Sequence, residues 1–108
     1  KRKILLQDHK KWFERFTGIK SNKIYGMFLK GNLIGYITIE SSKKNNVSWY
    51  LKKDYWGKVN FYNFLKSKTK QGKFTANVKI KNIASLILAL KSGFRIFKIK
   101  NDIVYFKK

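Results

Sequence analysis

Between a short apolar run and a helical one, the chain carries Asp54-Tyr55-Trp56-Gly57-Lys58. A glycine there lets backbone approach a bound group closely. N–H groups at the head of the following helix attract an anion through the helix dipole. Gly57 and Lys58 are thus a candidate cradle for an anionic group, with Lys52 and Lys53 adding charge; an ordinary surface turn has the same composition. Further along, Asn82 stands where it can cap a helix, contact a ligand, or do both. Two titratable side chains suit proton transfer. His9 is the one histidine and changes charge near neutral pH; it shares a helix face with Trp12 and Phe13, so it is either a packed histidine or an acceptor-site residue. Glu40, at the end of a predicted strand, is either a proton acceptor, directly or through water, or a solvated carboxylate. Trp49, Tyr50 and Trp56 are candidates for stacking on a ligand, against a default of packing.

The elements that position these residues follow from periodicity. His9, Trp12, Phe13 and Phe16 recur at helical spacing, which predicts an amphipathic helix over residues 6–17. Asp8 suits its first turn, and Thr17-Gly18 ends it. Strands are predicted over 23–30 and 33–40, joined by Gly31-Asn32 as a two-residue hairpin turn. Leu33, Tyr36, Ile37 and Ile39 fit a mostly buried strand. A third strand covers 47–52. A helix over 59–70 turns Phe61, Phe64 and Leu65 inward, and Gln71-Gly72 closes it. Residues 74–80 alternate as a strand. The next helix, capped by Asn82, has Ile83, Leu86, Ile87 and Leu90 on one face, with Gly93 as a left-handed C-cap and Phe94 as the contact after it. Strands over 95–99 and 103–107 flank a turn at Asn101-Asp102. The order is helix, three strands, helix, strand, helix, two strands, which is α/β with a mixed sheet. Its functional junction is the strand–loop–helix over 47–70, since ligands of such sheets gather beyond strand C-terminal ends.

Composition narrows the classes. The 108 residues make one domain, and nine Phe, six Tyr and three Trp exceed what a disordered chain carries. With no cysteine, one histidine and five carboxylates, neither a disulfide framework nor a metal site is expected. The apolar run Ile83 to Leu90 is too short for a bilayer, and no signal-peptide pattern opens the chain; membrane attachment is not expected, and the expected compartment is the cytoplasm. The net charge of +21 is read in two ways. It suits a nucleic acid or another polyanion. It also suits compositional drift, because the cations are nearly all scattered lysines and arginine occurs only at Arg2, Arg15 and Arg95. Drift is the favoured of the two.

The element order and two motifs resemble the GNAT superfamily of acetyl-CoA-dependent N-acetyltransferases. Val47 to Lys58 is similar to that family's fourth strand and pyrophosphate loop. Asn82-Ile83-Ala84-Ser85 through Lys91-Ser92-Gly93-Phe94 is similar to its later Asn-x-x-Ser/Ala…Lys-x-Gly-Phe helix. Asp8 to Phe13 resembles a helix of the subset that includes acetyltransferases of nucleotide-linked amino sugars and of ribosomal-protein N-termini. The resemblance implies a mixed, mostly antiparallel sheet flanked by helices, lacking the family's first strand and helix, in a single domain over 1–108 that is truncated or part of a longer chain. It implies acetyl-CoA held by Tyr50, Leu51, Trp56, Gly57, Lys58, Val59, Asn60 and Asn82. Main-chain groups near Tyr50 and Leu51 would meet the pantetheine arm. Acetyl would pass to a primary amine of a small molecule, with a nucleotide-linked amino sugar as the first candidate and Glu40, His9 or water taking the proton. The alternative is a catalytically impaired accessory domain or a lysine-rich nucleic-acid or polyanion binder. Three positions differ from the pattern. Val59-Asn60-Phe61 stands where the family has Gly-x-Gly or Gly-x-Ala, Ala89 where many members have a proton-donating Tyr, and Asn45-Asn46 where a Glu is frequent.

Overall fold

The computed structural model describes residues 22–108. The helix predicted over 6–17, with His9, lies outside the described residues.

Among the described residues, six strands and two α-helices follow in the order β1 (Lys23–Leu29), β2 (Asn32–Glu40), β3 (Asn46–Leu51), α1 (Phe61–Lys68), β4 (Thr75–Lys79), α2 (Ile83–Lys91), β5 (Arg95–Lys100) and β6 (Ile103–Lys107). They form one sheet in the order β1-β2-β3-β4-β6-β5. Every pairing is antiparallel except that of β3 with β4. The mixed, mostly antiparallel sheet expected from the sequence is present.

Turn chemistry sets the hairpins. The first turn sits one residue earlier than predicted: Leu29 pairs with Asn32, and Lys30-Gly31 forms the loop. Both loop residues have positive φ, 51° and 83°, the pair of values that a two-residue turn needs to match strand twist. Asn101 and Asp102 repeat this between β5 and β6, with φ of 51° and 62°. At Gly35 the requirement is space. A Cβ there would lie 2.6 Å from the Tyr50 carbonyl oxygen and 3.2 Å from the Phe61 ring. This glycine lets β2, β3 and α1 close on one another.

The core lies on one face of the sheet. Ile37 and Ile39 of β2, Val47 of β3, Ala76 and Val78 of β4, and Val104 and Phe106 of β6 meet Phe61 and Leu65 of α1 and Ala89 of α2. Phe74 and Phe94 complete it. Leu33, predicted to be buried, is exposed at the turn end of β2. The larger correction concerns α2. Ile83, Ile87 and Leu90 are exposed, whereas Ala89 is fully buried, with Leu86 and Leu88 half-buried beside it. Ala89, without a long side chain, lets the helix approach the sheet closely at that point. Eight of its nine residues carry no charge, so no polar face marks the solvent side.

Helix ends are built from specific bonds. Gly93 has φ of 99°. Its N–H donates to Leu90 O at 3.1 Å, and Phe94 N–H donates to Ala89 O at 3.0 Å, the paired bonds of a glycine C-cap. Lys108 ties the C-terminal ends of both helices together: its Nζ donates to Thr69 Oγ1 at 3.0 Å and to Ser92 O at 2.7 Å. Burial pushes this ammonium below its usual pKa, and Lys66 adds to the effect.

Candidate cofactor groove

β3 and β4 run parallel but meet at one register pair, Asn46 with Thr75. The contact is pinned by side chains: Asn46 Nδ2 donates to Thr75 Oγ1 at 3.1 Å, and Asn45 Nδ2 to Lys73 O at 3.1 Å. Beyond this pin the strands part. From Val47 to Leu51 the flank of β3 toward β4 has no ladder partner, although its other flank is fully paired with β2. Unpaired backbone N–H and C=O groups demand polar partners. An extended ligand with amide groups can supply them.

Two cavities occupy the opening. The larger, about 560 Å³, runs from Trp49, Tyr50 and Leu51 past the loop Trp56–Asn60 to the first turn of α1, and is closed by α2. The smaller, about 270 Å³, lies between β3 and β4. Trp49, Asn82 and Ser85 line both. Trp49 Nε1 donates to Ser85 Oγ at 3.3 Å, so an indole joins β3 to α2 across the opening. Its ring also meets Phe94 at a centroid distance of 6.2 Å.

The loop leading to α1 is shaped by its own bonds. Trp56 Nε1 donates to Leu51 O at 2.8 Å, folding the indole back over the end of β3. Lys58 N–H donates to Tyr55 O at 3.0 Å across Gly57, which has φ of 74°. A Cβ at Gly57 would meet nothing within 4 Å; backbone angle, not space, calls for glycine. Asn60 stands at the head of α1 without a side-chain cap bond. The first N–H groups of α1 therefore have no side-chain acceptor from that residue, and Asn60, Phe61 and Tyr62 line the groove. Lys58 and Lys91 bring positive charge to its lining.

The structure brings Tyr50, Leu51, Trp56, Gly57, Lys58, Val59, Asn60 and Asn82 together around this one groove. Asn82 also caps α2, its Oδ1 accepting from Ser85 N–H at 3.2 Å. Glu40 lies apart. It pairs with Asn46 at the pinned end of β3, lines neither cavity, and stands 4.0 Å from Lys43 Nζ. Ile87 and Lys91 line the groove without having been singled out for it; both sit four or more residues beyond Asn82 on α2, and only the facing of that helix reveals them. Tyr36 backs the site through its neighbour Tyr50, ring centroids 5.5 Å apart. Burial raises the Tyr36 pKa above 10.0, and Tyr50 adds to the shift.

No protein-family model and no curated protein matches the chain. Solved structures do. The N-acetyltransferase PseH of Campylobacter jejuni with acetyl coenzyme A matches with a TM-score of 0.72 and 18% identity, over 97% of this chain and 79% of that one. The spermidine N-acetyltransferase SpeG of Vibrio cholerae, as its F149A mutant, matches with 0.73 and 11% identity over 94% and 73%. The microcin C7 self-immunity acetyltransferase MccE with acetyl-CoA and AMP matches with 0.70 and 17% identity over 94% and 70%. This is the GNAT fold. Two of the departures noted in the sequence take on a physical meaning within it. Val59 does not have positive φ, so the β-branched residue is accommodated without strain. Ala89 is fully buried and packed in the core.

Proposed function

We propose that this chain is an acetyl-CoA-dependent N-acetyltransferase acting on a primary amine of a small molecule. The observation that carries the proposal is the meeting of an open strand flank and a glycine loop before a helix in one groove. The unpaired flank of β3 suits the amides of pantetheine. The loop Gly57–Asn60 and the head of α1 suit a pyrophosphate. Acetyl-CoA is bound in two of the similar solved structures.

Acetyl-CoA supplies an activated acyl group, whose transfer to the amine releases coenzyme A as the thiol. The roles of the chain's own groups follow from their places. Main-chain N–H groups near Leu51 orient and polarise the thioester carbonyl. Asn82 holds the flank of the arm while it caps α2. The amine must lose a proton. Glu40 stands outside both cavities, so its part would run through water, and His9 or an ordered water is the other acceptor for that proton.

An acceptor bearing negative charge is favoured. A chain of net charge +21 attracts anions and repels polyamines. A nucleotide-linked amino sugar meets that requirement and agrees with the resemblance of Asp8 to Phe13. Thermal unfolding with and without acetyl-CoA tests the binding step, because a ligand of the folded state raises its stability. Gly57→Glu places a carboxylate beside the pyrophosphate and is expected to abolish the rise; the positive φ at this position also lowers the apo midpoint, by about 4–8 °C for each kcal/mol of strain, so the rise is read against the variant's own apo midpoint. Mass spectrometry of amines incubated with acetyl-CoA tests transfer. No thermal rise at about millimolar acetyl-CoA, many times an ordinary Kd, together with no acetylated product would refute the proposal.

A further inference from the structure

The edge strand β5 has two unlike faces. Ile96 pairs with Phe106 and Ile99 with Val104, so these isoleucines point to the core side. Their partners are buried, at 1% and 2% exposure, yet Ile96 and Ile99 are 52% and 56% exposed. The opposite face is cationic: Arg95 pairs with Lys107, Lys98 with Tyr105 and Lys100 with Ile103. Phe97 is the extra residue where the register shifts between Ile96 and Lys98, and Lys107 Nζ lies 4.4 Å from its ring centre. The sheet order ends at β5, so among the described residues its outer backbone groups have no strand beside them.

Lysines and a bulge are ordinary devices for keeping a sheet edge from pairing. They do not account for two open isoleucines on the core side. Nor does a second copy fit. Two β5 strands paired edge to edge would set Arg95, Lys98 and Lys100 against their own equivalents on one face, with no carboxylate in either strand. Like charges facing each other across a strand pair are destabilising. The complement of this edge is a strand with apolar side chains on one face and carboxylates on the other.

We propose that β5 is a docking edge for an extended acidic protein segment in which apolar residues alternate with Asp or Glu. The segment adds a seventh strand to the sheet. Its apolar side chains cover Ile96 and Ile99, its carboxylates meet Arg95, Lys98 and Lys100, and its main chain pairs with the outer groups of β5.

Two capped peptides of about nine residues, long enough to span such an edge strand, test this. They share one composition of Val and Glu, alternating in the first and segregated into blocks in the second. Calorimetry is expected to show the alternating peptide binding at least about tenfold more tightly, which is the gap a specific pairing must open over charge attraction alone. Hydrogen exchange is expected to slow at the β5 amides. Ile96→Asn with Ile99→Asn is expected to erase the difference between the peptides; circular dichroism checks that this variant keeps its fold. Equal affinity of the two peptides would reduce the edge to a general polyanion surface and overturn the proposal. So would protection confined to other strands. A dimer of the chain alone with protected β5 amides, or binding to phosphatidylglycerol vesicles that the double substitution removes, would assign the edge to a different occupant and equally overturn it.

Discussion

At the scale of single residues, the groove depends on close approach. Gly35 allows β2 to lie against the Tyr50 carbonyl and the Phe61 ring. Gly35→Ala forces the strands or α1 apart and is expected to cost about 1–3 kcal/mol, the range for overpacking a tight site, measured by urea unfolding. Acetyl-CoA binding is expected to weaken as well, since Tyr50 and Phe61 line the groove. Tyr36 adds a pH signature. Its pKa is raised above 10.0 by burial first and by Tyr50 second. Above pH 10.0 the unfolded chain loses this proton before the folded one does, so the group's contribution to stability falls as pH rises through that window. Tyr36→Phe is expected to flatten part of the alkaline decline in the thermal midpoint, and an unchanged decline would count against the burial. The eight residues that the family resemblance marks for a cofactor line one groove, and Gly57-Lys58 among them is also legible from loop chemistry, which is local. Ser85's partnership with Trp49 is not legible, because it joins residues 36 apart.

At the scale of elements, α2 both closes the groove and carries its own cap. Asn82→Ala removes the bond to Ser85 N–H and is expected to cost about 1 kcal/mol, the usual value for a lost N-cap. Asn82→Ser keeps a capping oxygen but shortens the reach into the groove. It is expected to hold stability near that of the parent while reducing the thermal rise with acetyl-CoA; parallel losses in both measurements would make Asn82 a cap alone. The strands and helices of residues 23–107 follow their periodicity closely in the sequence. The facing of α2 does not, because a helix apolar on every side gives the pattern nothing to orient. Gly31-Asn32 was a reasonable turn by composition, yet the bulge between Met27 and Phe28 shifts the register and places the loop at Lys30-Gly31.

At the scale of the whole molecule, charge dominates. A net +21 on 108 residues makes the compact state repel itself. Added salt shortens the range of that repulsion to about 10 Å at 0.1 M. The thermal midpoint of the free protein is expected to rise with moderate sodium chloride, while affinity for acetyl-CoA falls as phosphate attraction is screened. A midpoint insensitive to salt would show that the lysines are spaced widely enough not to oppose folding. The charge itself is plain in the sequence; its arrangement on the two faces of β5 becomes visible only once the register with β6 is fixed.

The strand order β4-β6-β5 also sets a timetable. β6 is the last of the described strands in sequence but lies inside the sheet, between two that precede it. During synthesis on the ribosome, β4 and β5 wait for their shared neighbour. Until β6 slots in, Ile96, Phe97 and Ile99 have no ladder to join, and Ala76 and Val78 belong to an open margin. Such unpaired apolar strands are where nascent chains aggregate. The lysines of β5 would then protect this chain most during its passage from ribosome to finished sheet.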